Sequence, residues 1–291
     1  MTTRLDASGL SAHPLPGLPA DGDKEDRGAV LVVGGDAVMA GAALLAGISA
    51  LRVGAGKLQI RADRGSAAAL AIAVPEARVV IAASTDVAPL IDPASRASVL
   101  IIGPGMDTGR PQRRLALRLM EKAPGVACVI DAGALPVVEE AETFAAVSDG
   151  RTVLTPHAGE MAAMLGRDKQ TIKADPLGAA REAASLFRSV VVMKGATTFV
   201  VTPDGAAWRH DGGVPGLGTS GSGDVLAGAI GGILARGAPP VVAALWGVVL
   251  HAEAGSALAL AGAPLGFLAR ELPDRLPHIL GRICEDGAEP G

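Results

Sequence analysis

The chain has 291 residues, of which 49% are hydrophobic and 19% charged, a composition that excludes an intrinsically disordered protein. Its net charge of −4, with no basic cluster, argues against a surface for nucleic acid or for an anionic membrane. Only 2% of the residues are aromatic and none is tyrosine, so the core has to be built from alanine, valine, leucine and isoleucine.

The chain begins with a segment, residues 1–27, that is rich in proline and charge and predicts an extended or partly ordered arm. The arm has no basic head followed by an apolar run, so we expect no secretory signal. After it, short apolar runs alternate with longer segments rich in alanine and leucine. Strands are predicted at 29–35, 57–62, 77–82, 98–103, 126–131, 151–155 and 189–195, and helices at 41–56, 64–73, 110–122, 157–166 and 175–187.

Strands that are apolar throughout, with helices between them, are typical of a mainly parallel sheet that is covered on both faces. We therefore predict an α/β fold. After residue 194 the pattern changes, and the run FVVT-PDG-AAWRH predicts a hairpin with its turn at 203–205. Apolar helices are predicted at about 222–236, 239–260 and 267–281.

The expected organisation is one domain over 28–283, between the arm and a short tail at 284–291. The longest apolar stretches, 37–51 and 237–250, are shorter than the roughly 20 residues of a membrane span and predict buried helices. The two cysteines, Cys128 and Cys284, suit a reducing cytoplasm, where we expect the protein to be, and predict neither a disulfide nor a metal site.

Glycine, proline and polar residues gather where five of the predicted strands end. In an open α/β sheet, ligands bind beyond the carboxyl ends of the strands, so these residues predict one shared site. They are Gly34, Gly35 and Asp36, then Gly103, Pro104 and Gly105, then Asp131, then Thr155, Pro156 and His157, and finally Lys194 and Gly195.

The segment GTSGSGDVLAGAIGGIL (218–234) leads small residues directly into an apolar helix. A helix N-terminus offers free N–H groups and a partial positive charge, and Gly221, Ser222 and Gly223 would let the backbone wrap around a phosphate as an anion hole. Asp224 would stand beside that phosphate as a base, and we expect the helix dipole to keep it ionised. The alternative is that Asp224 only caps the helix. The P-loop pattern does not occur in the chain.

The run SGSGDVLAG resembles the anion-hole segment of the ribokinase-like superfamily. Seven segments, in order over about residues 28–280, resemble the ADP/ATP-dependent NAD(P)H-hydrate dehydratases. They are VLVVGGDAVMAGAALLAGISALRVGAGKLQI, PEARV, IIGPGM, VIDAGAL, LTPHAGEM, VVMKGATTFVV and SGSGDVLAG.

The resemblance implies dehydration of the S epimers of NADHX and NADPHX with ADP or ATP and Mg²⁺, through a phosphorylated ring hydroxyl and elimination. By motif matching, Asp224 acts on the substrate hydroxyl and Glu160 helps to organise the metal and phosphates. Family members often form homotetramers. The other matched positions are Ala42, Gly105 and His157 for substrate binding and Lys194, Gly195, Ala196, Thr197, Thr198 and Gly223 for the adenine nucleotide.

The chain departs from the family pattern mainly in its loops. Met39 stands where an aromatic residue is common, which would change how a ring is stacked. The other departures are Asp36 and Ala43 in the first loop, Gly133 in place of an acidic residue, Ala158 in place of proline and Val214 in place of asparagine. About 27 residues precede the first strand, too few for the epimerase domain that many relatives carry, so no epimerase activity is expected from this chain.

Two other functions stay open from the sequence. One is a ribokinase-like kinase of a hydroxymethyl-pyrimidine or thiazole alcohol, which would share the glycine-rich turn and Asp224; the other is a non-catalytic nucleotide-binding protein. Structural roles also stay open for single residues: Lys194 as a solvated lysine and His157 as a structural histidine. For His251, within an apolar helix, burial with a hydrogen bond is favoured over a role as a ligand.

Overall fold

The computed structural model describes residues 1–17, 22–36 and 38–286. Its centre is a ten-stranded sheet in the order β1-β10-β9-β8-β7-β6-β5-β2-β3-β4. The strands are β1 (Thr3–Arg4), β2 (Ala29–Val33), β3 (Lys57–Ala62), β4 (Ala77–Ile81), β5 (Val99–Ile102), β6 (Ala127–Ile130), β7 (Thr152–Leu154), β8 (Val190–Met193), β9 (Thr198–Val201) and β10 (Ala207–His210). All neighbours pair in parallel except β8 with β9 and β9 with β10.

Eleven α-helices cover the sheet in the described part of the chain. They are α1 (Ala40–Arg52), α2 (Ala67–Ala73), α3 (Ile91–Ser95), α4 (Arg110–Lys122), α5 (Ala141–Ser148), α6 (Ala158–Leu165), α7 (Lys169–Ala174), α8 (Pro176–Leu186), α9 (Ser222–Ala235), α10 (Pro240–Ala261) and α11 (Leu276–Asp286). Short 3₁₀ turns lie at Ser8–Ala12, Ala88–Leu90, Ala132–Ala134, Val138–Glu140, Pro215–Gly218, Ala269–Glu271 and Pro273–Arg275.

Two hydrophobic cores lie on opposite faces of the sheet. Along β2, Val30 and Val32 face the core that α1, α2, α9, α10 and α11 complete, whereas Leu31 and Val33 face the core of α3 to α8. Because side chains alternate along a strand, a strand that is apolar at every position is buried on both faces. The predicted α/β class with a mainly parallel, doubly covered sheet is therefore confirmed.

All seven predicted parallel-type strands, the hairpin and the helices up to α10 lie where the sequence placed them, with ends that differ by a few residues. Helix α1 ends at Arg52, earlier than residue 56, because Gly54 takes a φ of +108° that a helix cannot continue through. The sequence patterns missed β1 and the helices α3, α5 and α7, all of eight residues or fewer.

The helix predicted at about 267–281 is confirmed only from residue 276 onward. Two 3₁₀ turns occupy Ala269–Glu271 and Pro273–Arg275, and α11 begins only at Leu276. Pro273 has no N–H to continue a helical ladder, which explains the break. Residues 284–286, predicted as part of a tail, are the last turn of α11, and residues 287–291 lie outside the described residues.

The arm is tied to the sheet at its start. β1 pairs with β10, the Leu5 N–H donates to the Arg209 carbonyl at 2.8 Å, and the side chain of Leu10 is buried. Residues 18–21 of the arm are outside the described residues. The domain boundaries proposed from the sequence stay a prediction.

Among the described residues, α10 is long and apolar enough to cross a membrane by length and composition. In the fold, however, 67% of its most apolar window is buried, and Leu245 and Val249 are completely enclosed. Helix α10 is thus a core helix.

The glycines of α9 let this helix pack directly on the backbone of α1. A Cβ atom on Gly228 would lie 2.2 Å from the Ala46 carbonyl oxygen, and one on Gly232 would lie 2.4 Å from that of Ala50. No side chain fits at either position unless the helices move apart.

We therefore expect Gly228→Ala to lower the free energy of unfolding by about 1–3 kcal/mol, although alanine is the better helix former. The matched control is Gly281→Ala in α11, where nothing lies within 4 Å of the new methyl group. That change should stabilise the protein by about 0.5–1 kcal/mol. Urea unfolding of both variants measures the difference, and equal effects of the two substitutions would contradict the close contact.

Candidate active site

The predicted site forms at the carboxyl ends of β6, β7 and β8, beside the first turn of α9. Asp131 follows β6 and is almost fully buried. Its Oδ1 accepts hydrogen bonds from Thr155 Oγ1, after β7, at 2.7 Å and from Lys194 Nζ, after β8, at 2.9 Å. Lys194 Nζ also lies 3.7 Å from Glu160 Oε2. The ends of three of the five strands, β6, β7 and β8, thus meet in one ionic network.

Lys194 is not the solvated surface lysine that the sequence left open, because its side chain is only 19% exposed. Burial by itself lowers the pKa of an ammonium group, but the carboxylates of Asp131, Glu160 and Asp224 outweigh this effect, and the pKa of Lys194 is raised. Lys194 is therefore a permanent positive charge at the edge of the site.

The first turn of α9 presents backbone N–H groups, of which that of Ser222 donates to the Thr219 carbonyl at 3.3 Å. Gly221 occupies the N-cap position with a φ of +91°, and no side chain caps the helix. Ser222 Oγ lies 2.8 Å from Nε2 of His251, whose pKa falls to about 4 because it is buried. A Cβ on Gly223 would lie 3.2 Å from Lys194 Nζ, so the ammonium group stands directly before this turn. The arrangement suits an anion.

Asp224 is the third residue of α9 and does not cap it, so the cap interpretation is wrong. The expectation that the helix dipole keeps Asp224 ionised is also wrong at any pH below about 7, where the carboxyl group is mostly protonated. Burial, followed by repulsion from Asp131, raises the pKa of Asp224 to about 7, although Lys194 acts in the opposite direction. Near neutral pH this carboxyl group is therefore poised to accept or release a proton.

A cavity of about 560 Å³ opens beside the first turn of α9. Val214, Leu226 and Val248 give it an apolar wall, as an adenine ring would require. It is lined by most of the residues predicted for the nucleotide and one predicted for the substrate: Lys194, Gly195, Ala196, Thr198, Gly223 and His157. Thr197, also predicted for the nucleotide, is outside this lining and donates its hydroxyl to Asp211 Oδ1 at 2.9 Å.

Ala42 and Gly105 meet each other at a second location, between α1 and the loop after β5. A Cβ on Gly105, which has a φ of +67°, would lie 2.6 Å from Ala42 Cβ. The first turn of α9 approaches the same helix: a Cβ on Gly221 would lie 2.7 Å from Leu45 Cδ1 of α1 and 4.0 Å from Asp224 Oδ2. Ala42 and Gly105 are outside the lining of the cavity.

His157, predicted to bind substrate, has a structural role in this fold. Its Nδ1 accepts hydrogen bonds from the N–H groups of Gly159 and Glu160 at 3.0 and 3.1 Å and so caps α6. The Glu160 carboxylate accepts in return from the His157 N–H at 2.7 Å. The ring is also half exposed and lines the cavity, so capping and ligand contact are compatible.

No group of three or more His, Cys, Asp or Glu side chains that could hold a metal ion occurs in residues 1–17, 22–36 and 38–286. Glu160, the predicted metal residue, is engaged with His157 and Lys194. This donor set fits Mg²⁺, which is usually bound through one or two carboxylates together with substrate phosphates.

Two of the departures from the family pattern have a visible structural reason. A Cβ on Gly133 would lie 2.3 Å from the Asp107 carbonyl oxygen and 2.6 Å from that of Met106, so no acidic side chain fits there. Asp36 Oδ1 accepts from the N–H groups of Val38 and Met39 at 2.9 and 2.8 Å and holds the turn before α1.

Two contributions were missed from the sequence. Asp131 was recognised as a strand-end residue but not as the partner of Lys194, and Ser222 was not expected to bond to His251. The only sequence signal for the first is a carboxylate that directly follows an apolar strand. The sequence carries no signal for the contact between Ser222 and His251, because the two residues lie on different helices.

The model of one protein family, NAD(P)H-hydrate dehydratase, matches residues 30–278. The ADP-dependent (S)-NAD(P)H-hydrate dehydratase of Xanthomonas campestris is 47% identical over 285 residues, which cover 95% of this chain and 96% of that protein. The bifunctional NAD(P)H-hydrate repair enzyme of Moorella thermoacetica is 35% identical, and the match covers 97% of this chain but 55% of that enzyme.

Among solved structures, an ADP/ATP-dependent NAD(P)H-hydrate dehydratase from Bacillus subtilis, co-crystallised with ATP and Mg²⁺, superimposes with a TM-score of 0.81. It is 28% identical, and the match covers 97% of this chain and 99% of that one.

The raised pKa of Asp224 predicts a stability change that depends on pH. The folded protein binds a proton at Asp224 up to about pH 7, whereas the unfolded chain releases it near pH 4, so stability falls as the pH rises between these values. Asp224→Asn, which removes the charge, should therefore raise Tm by a few °C at pH 8 and by less at pH 5. Calorimetric scans at both pH values measure this.

The control is Asp149→Asn, at an exposed aspartate that ends α5 in the left-handed region, which asparagine also adopts. Its change in Tm should be the same at pH 5 and pH 8. If Asp224→Asn also changed Tm by the same amount at pH 5 and pH 8, the result would contradict a raised pKa for the buried Asp224 carboxyl group.

Proposed function

The chain belongs to the NAD(P)H-hydrate dehydratase family and is an ADP-dependent enzyme that dehydrates (S)-NAD(P)H hydrate; we propose that Asp224 is its base and that the first turn of α9 holds the transferred phosphoryl group. The fold is ribokinase-like. The observation that carries the proposal is the position of Asp224. Its carboxyl group, with a pKa of about 7, belongs to the first turn of α9, where Gly223 lines the cavity and a Cβ on Gly221 would lie 2.7 Å from Leu45 of α1, the helix that carries Ala42.

The proposed nucleotide site is the cavity beside α9. Lys194 and the N–H groups of the first turn would bind the phosphates, and the apolar wall at Val214, Leu226 and Val248 would pack on the adenine ring. ADP or ATP would be the phosphoryl donor. Mg²⁺, brought with the nucleotide, would neutralise phosphate charge, with Glu160 as its nearest proposed protein ligand.

The proposed chemistry overcomes a poor leaving group. Asp224 accepts the proton of the ring hydroxyl while that oxygen bonds to the terminal phosphorus and the phosphorus–oxygen bond to the nucleotide breaks. The carbon–oxygen bond of the phosphorylated ring then breaks with phosphate as the leaving group, and loss of a ring proton restores the dihydronicotinamide. The sum is NAD(P)HX plus ATP giving NAD(P)H, ADP and phosphate, or the same with ADP giving AMP.

The cellular compartment and the oligomeric state stay predictions. The enzyme is proposed to work in the cytoplasm and to form a homo-oligomer, a tetramer by resemblance. Exposed apolar side chains at Leu260, Leu265 and Leu268 are available for contacts between subunits. The free thiols of Cys128 and Cys284 suit a reducing compartment.

Asp224→Asn tests the base directly. The amide keeps the size of the side chain but accepts no proton, so the rate at which NADHX and ATP regenerate NADH should fall by about 10²–10⁴-fold. The affinity for ADP, measured by calorimetry, should stay within about threefold, because Asp224 is not among the residues that line the cavity. Asp149→Asn serves as the matched control and should leave the rate unchanged.

A wild-type enzyme that phosphorylates a pyrimidine or thiazole alcohol but regenerates no NADH would favour the kinase alternative. ATP binding without any turnover, in both wild type and Asp224→Asn, would favour a non-catalytic protein.

The pH dependence provides a second test. Since a base must be ionised, kcat/KM should fall as the pH drops below about 7, the pKa of Asp224. Asp131→Asn removes the repulsion that helps to raise this pKa, so the acid limb of the profile should move to lower pH. The amide oxygen can still accept from Thr155 and Lys194. If the acid limb stays in place in Asp131→Asn, or moves equally in Asp149→Asn, the proposed coupling between Asp131 and Asp224 is refuted.

A further inference from the structure

Arg61, the fifth residue of β3, is a charged side chain at the carboxyl edge of the sheet that the proposed mechanism does not use. Only 1% of it is exposed, which makes it one of the largest fully buried side chains of the protein. It lies in a strand that the sequence predicted correctly, but nothing in the sequence pattern assigned it a role.

The guanidinium group ties together the ends of three neighbouring strands. Its Nε donates to the Ala82 carbonyl, after β4, at 3.0 Å, and one terminal nitrogen donates to Asp63 Oδ1, after β3, at 2.8 Å. The other terminal nitrogen donates to the Gly35 carbonyl, after β2, at 2.5 Å. A planar fork of donors is required to reach all three acceptors at once.

Gly35 connects this fork to the predicted substrate residues. Its own N–H donates to the Pro104 carbonyl at 2.6 Å, and its φ of +65° is a conformation that favours glycine. A Cβ on Gly105 would lie 3.4 Å from Gly35 Cα and 2.6 Å from Ala42 Cβ. Arg61 therefore holds the backbone of the loop at Gly35, and the same loop approaches Gly105, which contacts Ala42.

The support is energetically expensive. Within the described part of the chain, the buried guanidinium group of Arg61 pairs with one carboxylate, that of Asp63, whose side chain is 24% exposed. Strand ends that need only stability are filled at least as well by apolar side chains. A costly buried charge that fixes one loop carbonyl is expected where the loop itself must be held in position.

We propose that Arg61 is a positioning residue for the dinucleotide substrate: it fixes the Gly34–Asp36 turn so that the Ala42–Gly105 wall can bind NAD(P)HX. This role rests on the proposed function of that wall. Because Arg61, Ala42 and Gly105 are outside the lining of the nucleotide cavity, Arg61 should influence the binding of NAD(P)HX and NAD(P)H and not that of ADP.

The chain contains a matched control in Arg151, just before β7. Arg151 also donates to three backbone carbonyls, those of Val126, Met120 and Val147, but at the amino ends of the strands, opposite the site. Substitution by lysine at either position keeps the charge and removes the fork. Both variants should therefore lose stability, but only Arg61→Lys should lose affinity for NADPH.

The experiment compares wild type, Arg61→Lys and Arg151→Lys in three measurements: NADPH affinity by fluorescence titration, ADP affinity by calorimetry, and KM and kcat for NADPHX. For Arg61→Lys we expect NADPH affinity to fall and KM to rise by roughly threefold or more, with kcat changed less and ADP affinity unchanged. For Arg151→Lys we expect a lower Tm and unchanged binding.

The positioning role is overturned if Arg61→Lys binds NADPH like wild type, if its ADP affinity falls in parallel, if Arg151→Lys shows the same loss, or if wild type binds no NADPH. Should Arg61→Lys fail to fold, Asp63→Asn, which loosens one arm of the fork at a partly exposed residue, must still weaken NADPH binding selectively. A wild type that binds NADPH but converts no hydrate refutes the proposed function alone, since the binding comparison still decides the role of Arg61.

Discussion

The active site depends on one buried positive charge shared by three carboxylates. Lys194 bonds to Asp131, lies near Glu160 and interacts electrostatically with Asp224. Burial, followed by repulsion from Asp131, raises the pKa of Asp224 to about 7, because the one ammonium group of Lys194 does not offset these effects. The same excess of negative charge favours a nucleotide that arrives with a divalent cation.

This charge arrangement is useful only because two helices meet at backbone distance. Gly228 and Gly232 allow α9 to lie against the carbonyl groups of Ala46 and Ala50 in α1. The contact sets the position of the first turn of α9 and brings Asp224 to the side of α1 that carries Ala42. Larger residues along α9 would separate the helices and move the carboxyl group away from its proposed substrate. The same contact between α9 and α1 therefore determines both the packing of the core and the position of Asp224.

Much of the fold could be predicted from the sequence because apolar strands, amphipathic helices and strand-end residues are local signals. The helix break at Pro273 is also local, but its effect depends on how neighbouring turns pack. The pairing of β1 with β10 could not be predicted, because it joins residues about 205 positions apart. The protonation of Asp224 could not be predicted either, because it depends on how closely Asp131, Glu160 and Lys194 approach one another in space.

Two of the departures from the family pattern, Asp36 and Gly133, lie in loops beside this network. Asp36 shapes the turn before α1, and Gly133 makes room for the carbonyl groups of Asp107 and Met106. Both belong to loops at the carboxyl edge, where the dinucleotide is proposed to bind, whereas Asp131, Lys194 and Asp224 retain the charges that the chemistry needs. The departures at Asp36 and Gly133 therefore lie where the substrate is proposed to bind, whereas Val214 belongs to the wall of the nucleotide cavity. The Asp36 loop is also where Arg61 holds the backbone, and a loop that tolerates different side chains depends all the more on a fixed main chain.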